Sequence, residues 1–125
     1  MTSTYFINIS NHPSSKWSEI QLKAAQNYVE IIDWGFPTID PQWGDSEISA
    51  LADEYVKKVK LLDKSPSAIT LHIMGEMTFC HALISRLRCL GYCCMASTTQ
   101  RLAQEKEDGS KEVRFVFERF RKYIA

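Results

Sequence analysis

Three polar clusters carry side chains that grip anions or move protons. They are Ser10-Asn11-His12-Pro13-Ser14-Ser15, Gly75-Glu76-Met77-Thr78 and Ser97-Thr98-Thr99-Gln100-Arg101. The hydroxyls of Ser14, Ser15 and Thr78, beside unpaired amides at helix starts, suit a phosphate. Arg101 can hold one bidentately. Histidine titrates close to neutrality, which makes His12 the candidate general acid or base on a ribose hydroxyl. Glu76 can orient a ribose hydroxyl or accept from a base edge. Trp17 and Trp34 can stack on a base or pack beneath the loops.

Each of these residues also has an ordinary structural role. Serine and threonine cap helices, a carboxylate stabilises a helix start, and an arginine opening a hairpin is commonly solvated. His72 inside a strand and His81 inside a helix read as hydrogen-bonded structural histidines. The weight lies in the recurrence of polar clusters at three matching strand ends.

The elements that must position these clusters follow from hydrophobic period and turn chemistry. Tyr5 to Ile9 is a short strand stopped by Ser-Asn-His-Pro. Ser18-Glu19-Ile20-Gln21 opens a helix to about Tyr28. A strand from Val29 to Trp34 ends at Gly35-Phe36-Pro37, and Asp45 or Ser46 caps a helix that stops before Lys64-Ser65-Pro66. Ala68 to Met74 is a central strand running into the Gly75 turn. Thr78 caps a third helix over Phe79 to Leu90, with Gly91 beyond its end. Tyr92 to Ala96 is a fourth strand. Arg101 to Glu107, Asp108-Gly109-Ser110 and Lys111 to Phe117 form a β-hairpin.

This order predicts one α/β domain over residues 1–125, with a mostly parallel sheet in the order 2-1-3-4, helices on both faces and a C-terminal β-hairpin. The ends of strands one and three then meet at the switch point, where ligands of open sheets bind.

Composition narrows the function classes. Fifteen basic residues balance fifteen acidic ones, so no global field draws the chain to DNA or a membrane surface. The stretch from Thr2 to Asn8 lacks the features of a signal peptide, and no segment is long and apolar enough for a membrane span, so a cytoplasmic location is expected. Cys80, Cys89, Cys93 and Cys94 contain no C-x-x-C pair, so neither a metal nor another cofactor is expected. No G-x-G-x-x-G follows the first strand and no Walker pattern occurs. The aromatic tail, with Phe115, Phe117, Phe120 and Tyr123, offers a surface for an isologous homodimer.

Ile7-Asn8-Ile9-Ser10-Asn11-His12-Pro13-Ser14, Gly75-Glu76-Met77-Thr78 and Ala96-Ser97-Thr98-Thr99-Gln100-Arg101 together resemble small stand-alone CRISPR-associated Rossmann-like proteins, a group that includes ring nucleases. The resemblance spans about residues 5–101. It implies a Rossmann-like three-layer sandwich, assembled as a two-fold dimer that binds a cyclic oligoadenylate. The ring would be cut without metal by in-line attack of a ribose 2′-hydroxyl on the neighbouring phosphate, switching off a defence signal. The loop Ser10, Asn11, Ser14 and Ser15 would face phosphate and ribose, and the Gly75 turn would let backbone approach the ring. Thr98, Thr99 and Arg101 would steady the scissile phosphate. The alternatives are a module that sequesters the ring without cutting it, and an interaction protein with no ligand.

Overall fold

A computed structural model of the chain describes residues 4–28 and 30–125. Val29, expected to open the second strand, lies outside the described residues, as do Thr2 and Ser3. The elements are β1 (Tyr5–Ile9), α1 (Glu19–Ala24), β2 (Glu30–Asp33), α2 (Asp45–Lys60), β3 (Ile69–Ile73), α3 (Met77–Cys89), β4 (Cys93–Glu105) and β5 (Lys111–Lys122). They form a mixed α/β fold around one five-stranded sheet, ordered β2-β1-β3-β4-β5. The first three pairings are parallel and β4 with β5 is antiparallel. At this coarse level the fold is consistent with a Rossmann-like sheet.

Strand alternation sends consecutive residues of β1 to opposite faces. Ile7 and Ile9 join Leu71, Ile73 and the inner sides of α2 and α3 in the larger core. Phe6 faces the other way, onto Trp17, Ala25 and Tyr28. This second, mostly aromatic core explains why α1 is shorter than expected. After Ala24 the chain tightens into bonds between residues three apart, Gln26 N–H to Lys23 O and Tyr28 N–H to Ala25 O, which bring the Tyr28 ring to 4.9 Å from that of Phe6.

Two caps differ from the sequence expectation. Gly44, not Asp45 or Ser46, precedes α2, and the Glu47 carboxylate accepts its N–H at 2.9 Å. Glu76, not Thr78, caps α3, which opens two residues earlier than Phe79.

The larger difference lies in β4. The cluster from Ser97 to Arg101 is not a loop but the middle of a continuous thirteen-residue strand. β4 pairs with β3 only at Cys93, Cys94 and Met95, then continues with β5 as its sole partner. The threonines favour this extended path. The Thr98 hydroxyl donates to Arg119 O at 3.1 Å and accepts its N–H at 3.2 Å. A register shift between Thr98 and Thr99 leaves Glu118 without an opposite residue, so Ser97, Thr99 and Arg101 share a face with Phe120, Phe117 and Phe115. The outer part of this ribbon is exposed on all sides.

Candidate functional site

Three apolar runs each contain one polar residue near the carboxyl end of a strand: Asn8 in β1, Asp33 in β2 and His72 in β3. The parallel registers set Asn8 beside Asp33 on one side and beside His72 on the other, with His72 next to Met95 of β4. Ser97, two residues on from Met95, lies on the same face. Asn8, Ser10 and His72 are the buried polar side chains of the described residues, and burial obliges each to be hydrogen-bonded.

Proton positions along this row follow from its acidic end. The Asp33 carboxylate can only accept. It takes Asn8 Nδ2–H at 2.8 Å, the Ser14 hydroxyl at 2.6 Å and Ser14 N–H at 3.0 Å. Burial opposes its charge, but the bonds from Ser14 and Asn8 outweigh this and hold Asp33 below its ordinary pKa. Asn8 Nδ2 also donates to His12 O at 2.9 Å, so the opposite atom, Oδ1, faces His72 and Ser10. That oxygen accepts from the Ser10 hydroxyl at 2.8 Å and from His72 Nδ1 at 2.9 Å, so the proton of neutral His72 sits on Nδ1. Nε2 is then the acceptor, and the Ser97 hydroxyl donates to it at 2.6 Å. Gln21 Nε2 completes the chain by donating to Ser97 Oγ at 3.2 Å.

Desolvation, together with the nearby charge of His12, holds His72 down to about 4. Near neutral pH its Nε2 lone pair is therefore free to accept. Phe6, Trp17 and Phe120 surround the ring with centroids 5.6–5.8 Å away. Trp17, 7% exposed, donates its indole N–H to His12 O at 2.9 Å, pinning the loop over the row. Trp34 packs against the other core with the Lys58 ammonium 4.3 Å above its ring. Neither tryptophan lines the crevice.

A cavity of about 320 Å³ opens at the ends of β1 and β2, lined by Asn8, Ser10, Asn11, Pro13, Asp33, Gly35 and Phe36. The structure thus brings Ser10 and Asn11 to one cavity, with Ser14 bonded to its Asp33 wall. Ser15 and His12 stand exposed on the same loop, and among the described residues the His12 imidazole has no hydrogen-bond partner. Ser14 to Lys16 is a single 3-10 turn rather than a helix start.

The Gly75 turn is engaged within the protein. The Phe36 ring covers Gly75. Glu76 takes the N–H groups of Thr78 and Phe79 at 2.9 and 2.8 Å and the Thr78 hydroxyl at 2.6 Å, so its own carboxylate occupies the start of α3. The Thr78 hydroxyl, foremost, and these amides hold Glu76 below its usual pKa. Thr98 is bonded to Arg119 backbone, Thr99 is exposed, and Arg101 lies on the free ribbon, about 13 Å beyond Ser97 at roughly 3.3 Å per residue.

Sequence reasoning passed over Asp33, named Asn8 and Ser97 only within longer stretches and gave neither a role of its own, and assigned His72 a structural role. The signal was a polar residue near the carboxyl end of each of three largely apolar strands, a local conflict that marks special sites. Burial pushes the thiols of Cys80 and Cys94 up to about 11 and about 12. No cluster of three metal-binding side chains occurs among the described residues, nor does a helix long and apolar enough to cross a membrane.

No curated protein matches the chain, and no solved structure does. Residues 4–121 match the Uncharacterized protein MJ1673 family, and the chain belongs to that family.

Proposed function

We propose that this chain is a Rossmann-like three-layer domain that binds a cyclic oligoadenylate in the crevice beyond β1, β2 and β3 and cleaves it without a metal ion, as an off-switch for CRISPR type III signalling in the cytoplasm. The observation that carries the reading is the polar row Asp33–Asn8–His72–Ser97, which crosses the sheet where its strand order reverses. Asp33 suits a ribose hydroxyl, and the exposed His12, Asn11 and Ser15 suit the sugar-phosphate edge. Cleavage follows from holding a ribose 2′-hydroxyl in line with the neighbouring phosphate, with Arg101, Thr98 and Thr99 approaching from the ribbon. A two-fold ring calls for a two-fold protein, and Val113 and Phe115, exposed on one face of the ribbon, give it an apolar surface for a homodimer.

A second reading, binding without cleavage, has its own support. Glu76 fills the amides at the start of α3, and among the described residues Asp33 is the only charged side chain lining the cavity. The deciding experiment incubates the protein with cyclic tri-, tetra- and hexa-adenylate in EDTA and separates the products by chromatography, with a parallel mobility-shift assay. Linear or 2′,3′-cyclic-phosphate products establish the nuclease, a shift without products establishes the sequestering module, and neither result rejects both.

A further inference from the structure

The Ser97 hydroxyl lies 2.6 Å from His72 Nε2, and His72 Nδ1 lies 2.9 Å from Asn8 Oδ1. A hydroxyl within reach of a base that a third group orients is the arrangement that activates hydroxyls. Its direction is fixed by the Asp33 carboxylate, because reversing any bond would set two donors or two acceptors face to face. Gln21 donates to the same seryl oxygen, which stabilises negative charge developing there. Ser97 Oγ makes these two bonds, retains one lone pair, and belongs to a partly exposed residue.

We propose that Asn8, His72 and Ser97 form a proton relay, in which Ser97 takes the proton of a ligand hydroxyl while passing its own to His72. Applied to the ring-cleaving reading, on which this part rests, the ligand hydroxyl is a ribose 2′-hydroxyl. Its O–H bond breaks toward Ser97 Oγ as the 2′-oxygen bonds to phosphorus and the bond from phosphorus to the 5′-oxygen breaks. The 5′-oxygen takes a proton from solvent, and His72 returns its extra proton to solvent through Ser97. The products are a 2′,3′-cyclic phosphate and a 5′-hydroxyl, with no net proton gained. The approaching phosphate also favours the imidazolium form, raising the basicity of His72 when it is needed. Asn8 is a positioning residue that selects the tautomer.

The relay is testable without the ring. A fluorophosphonate reports hydroxyl activation directly: Ser97 Oγ bonds to phosphorus, fluoride leaves, and the proton passes to His72. Peptide mass spectrometry of the treated full-length protein is expected to show Ser97 labelled at least about 100-fold faster than the exposed Ser15, the scale of general-base assistance. His72→Gln is expected to erase that advantage, and in the ring assay to lower kcat with KM unchanged. The ratio of Ser97 to Ser15 labelling within the unsubstituted protein reads the same activation should His72→Gln fail to fold. Labelling of Ser97 no faster than Ser15, or unchanged in folded His72→Gln, overturns the relay. Fast labelling with no ring cleavage upholds the relay and sinks the ring-cleaving reading instead.

Discussion

The Phe36 ring lies directly over Gly75, where a Cβ would run into three of its carbons. Phe79 holds that ring edge-to-face at 5.5 Å, which limits how far it can swing aside. Gly75→Ala is therefore expected to destabilise the fold by about 1–3 kcal/mol, the usual cost of overpacking. Urea denaturation of the single and double variants checks this. In a Phe36→Ala background the same glycine change is expected to cost at least about 0.5 kcal/mol less, as coupled neighbours do.

His72 gives the fold an acid-sensitive component. Folding holds it down to about 4, against an ordinary value of 6.5, so between these pH values the unfolded chain binds a proton that the folded chain refuses. Stability from this residue is fully present above about pH 6.5, falls as pH drops toward 4, and levels off below. The whole loss amounts to about 3 kcal/mol. Unfolding midpoints from pH 7.5 to 4 are expected to fall less steeply in His72→Gln, and equal slopes would remove the assignment.

Asp33 is exposed, yet it organises the first loop through Ser14 and Asn8. Asp33→Ala is expected to cost only about 1–2 kcal/mol globally, the scale of hydrogen bonds to a charged group. The local effect is sharper. Amide exchange at Ser14 is expected to accelerate by more than tenfold while exchange in β3 follows the global change alone.

For turnover of a cyclic oligoadenylate, His12→Ala is expected to cost more than Arg101→Ala. His12 stands close enough for its charge to lower His72, whereas Arg101 sits four residues along the ribbon from Ser97. A tenfold or greater loss of kcat/KM is expected for the first, with a smaller loss, mostly in KM, for the second. The reverse order would mean that the ribbon folds down onto the ligand.

The ribbon itself is expected to open independently. From Thr99 to Glu105, β4 has one neighbour, and an isolated two-stranded ribbon is marginal in water. Amides there are expected to exchange orders of magnitude faster than those of Leu71 and Ile73. Uniform protection along β4 would indicate a partner covering its outer half.

Most elements were legible because the strands and α3 carry clean hydrophobic periods that agree with their flanking turns. The site was only half legible. Ser10 and Asn11 stand out as polar residues after a strand, but the partners that define the crevice are set by register, and register between strands 25 or 64 residues apart leaves no local trace. Ser97 to Arg101 read as a loop because serine and threonine serve both turns and strands. Its pairing to Arg119 and Phe117 settled the matter at a distance. Thr78 looked like a cap, and the actual cap, Glu76, prevailed because its longer side chain reaches forward to two amides at once.

The polar row has a kinetic consequence. It takes one residue from each of β1, β2, β3 and β4, drawn from position 8 to position 97 of the chain. Such contacts are among the slowest to close during folding, because long loops must be ordered first. No subset of hairpins or helices can assemble it in advance. A chain still in synthesis, or one collapsed around the α2–α3 core alone, has the bulk of the protein and none of the polar row. The completed row would therefore arrive last, as a signal that the entire sheet is in place.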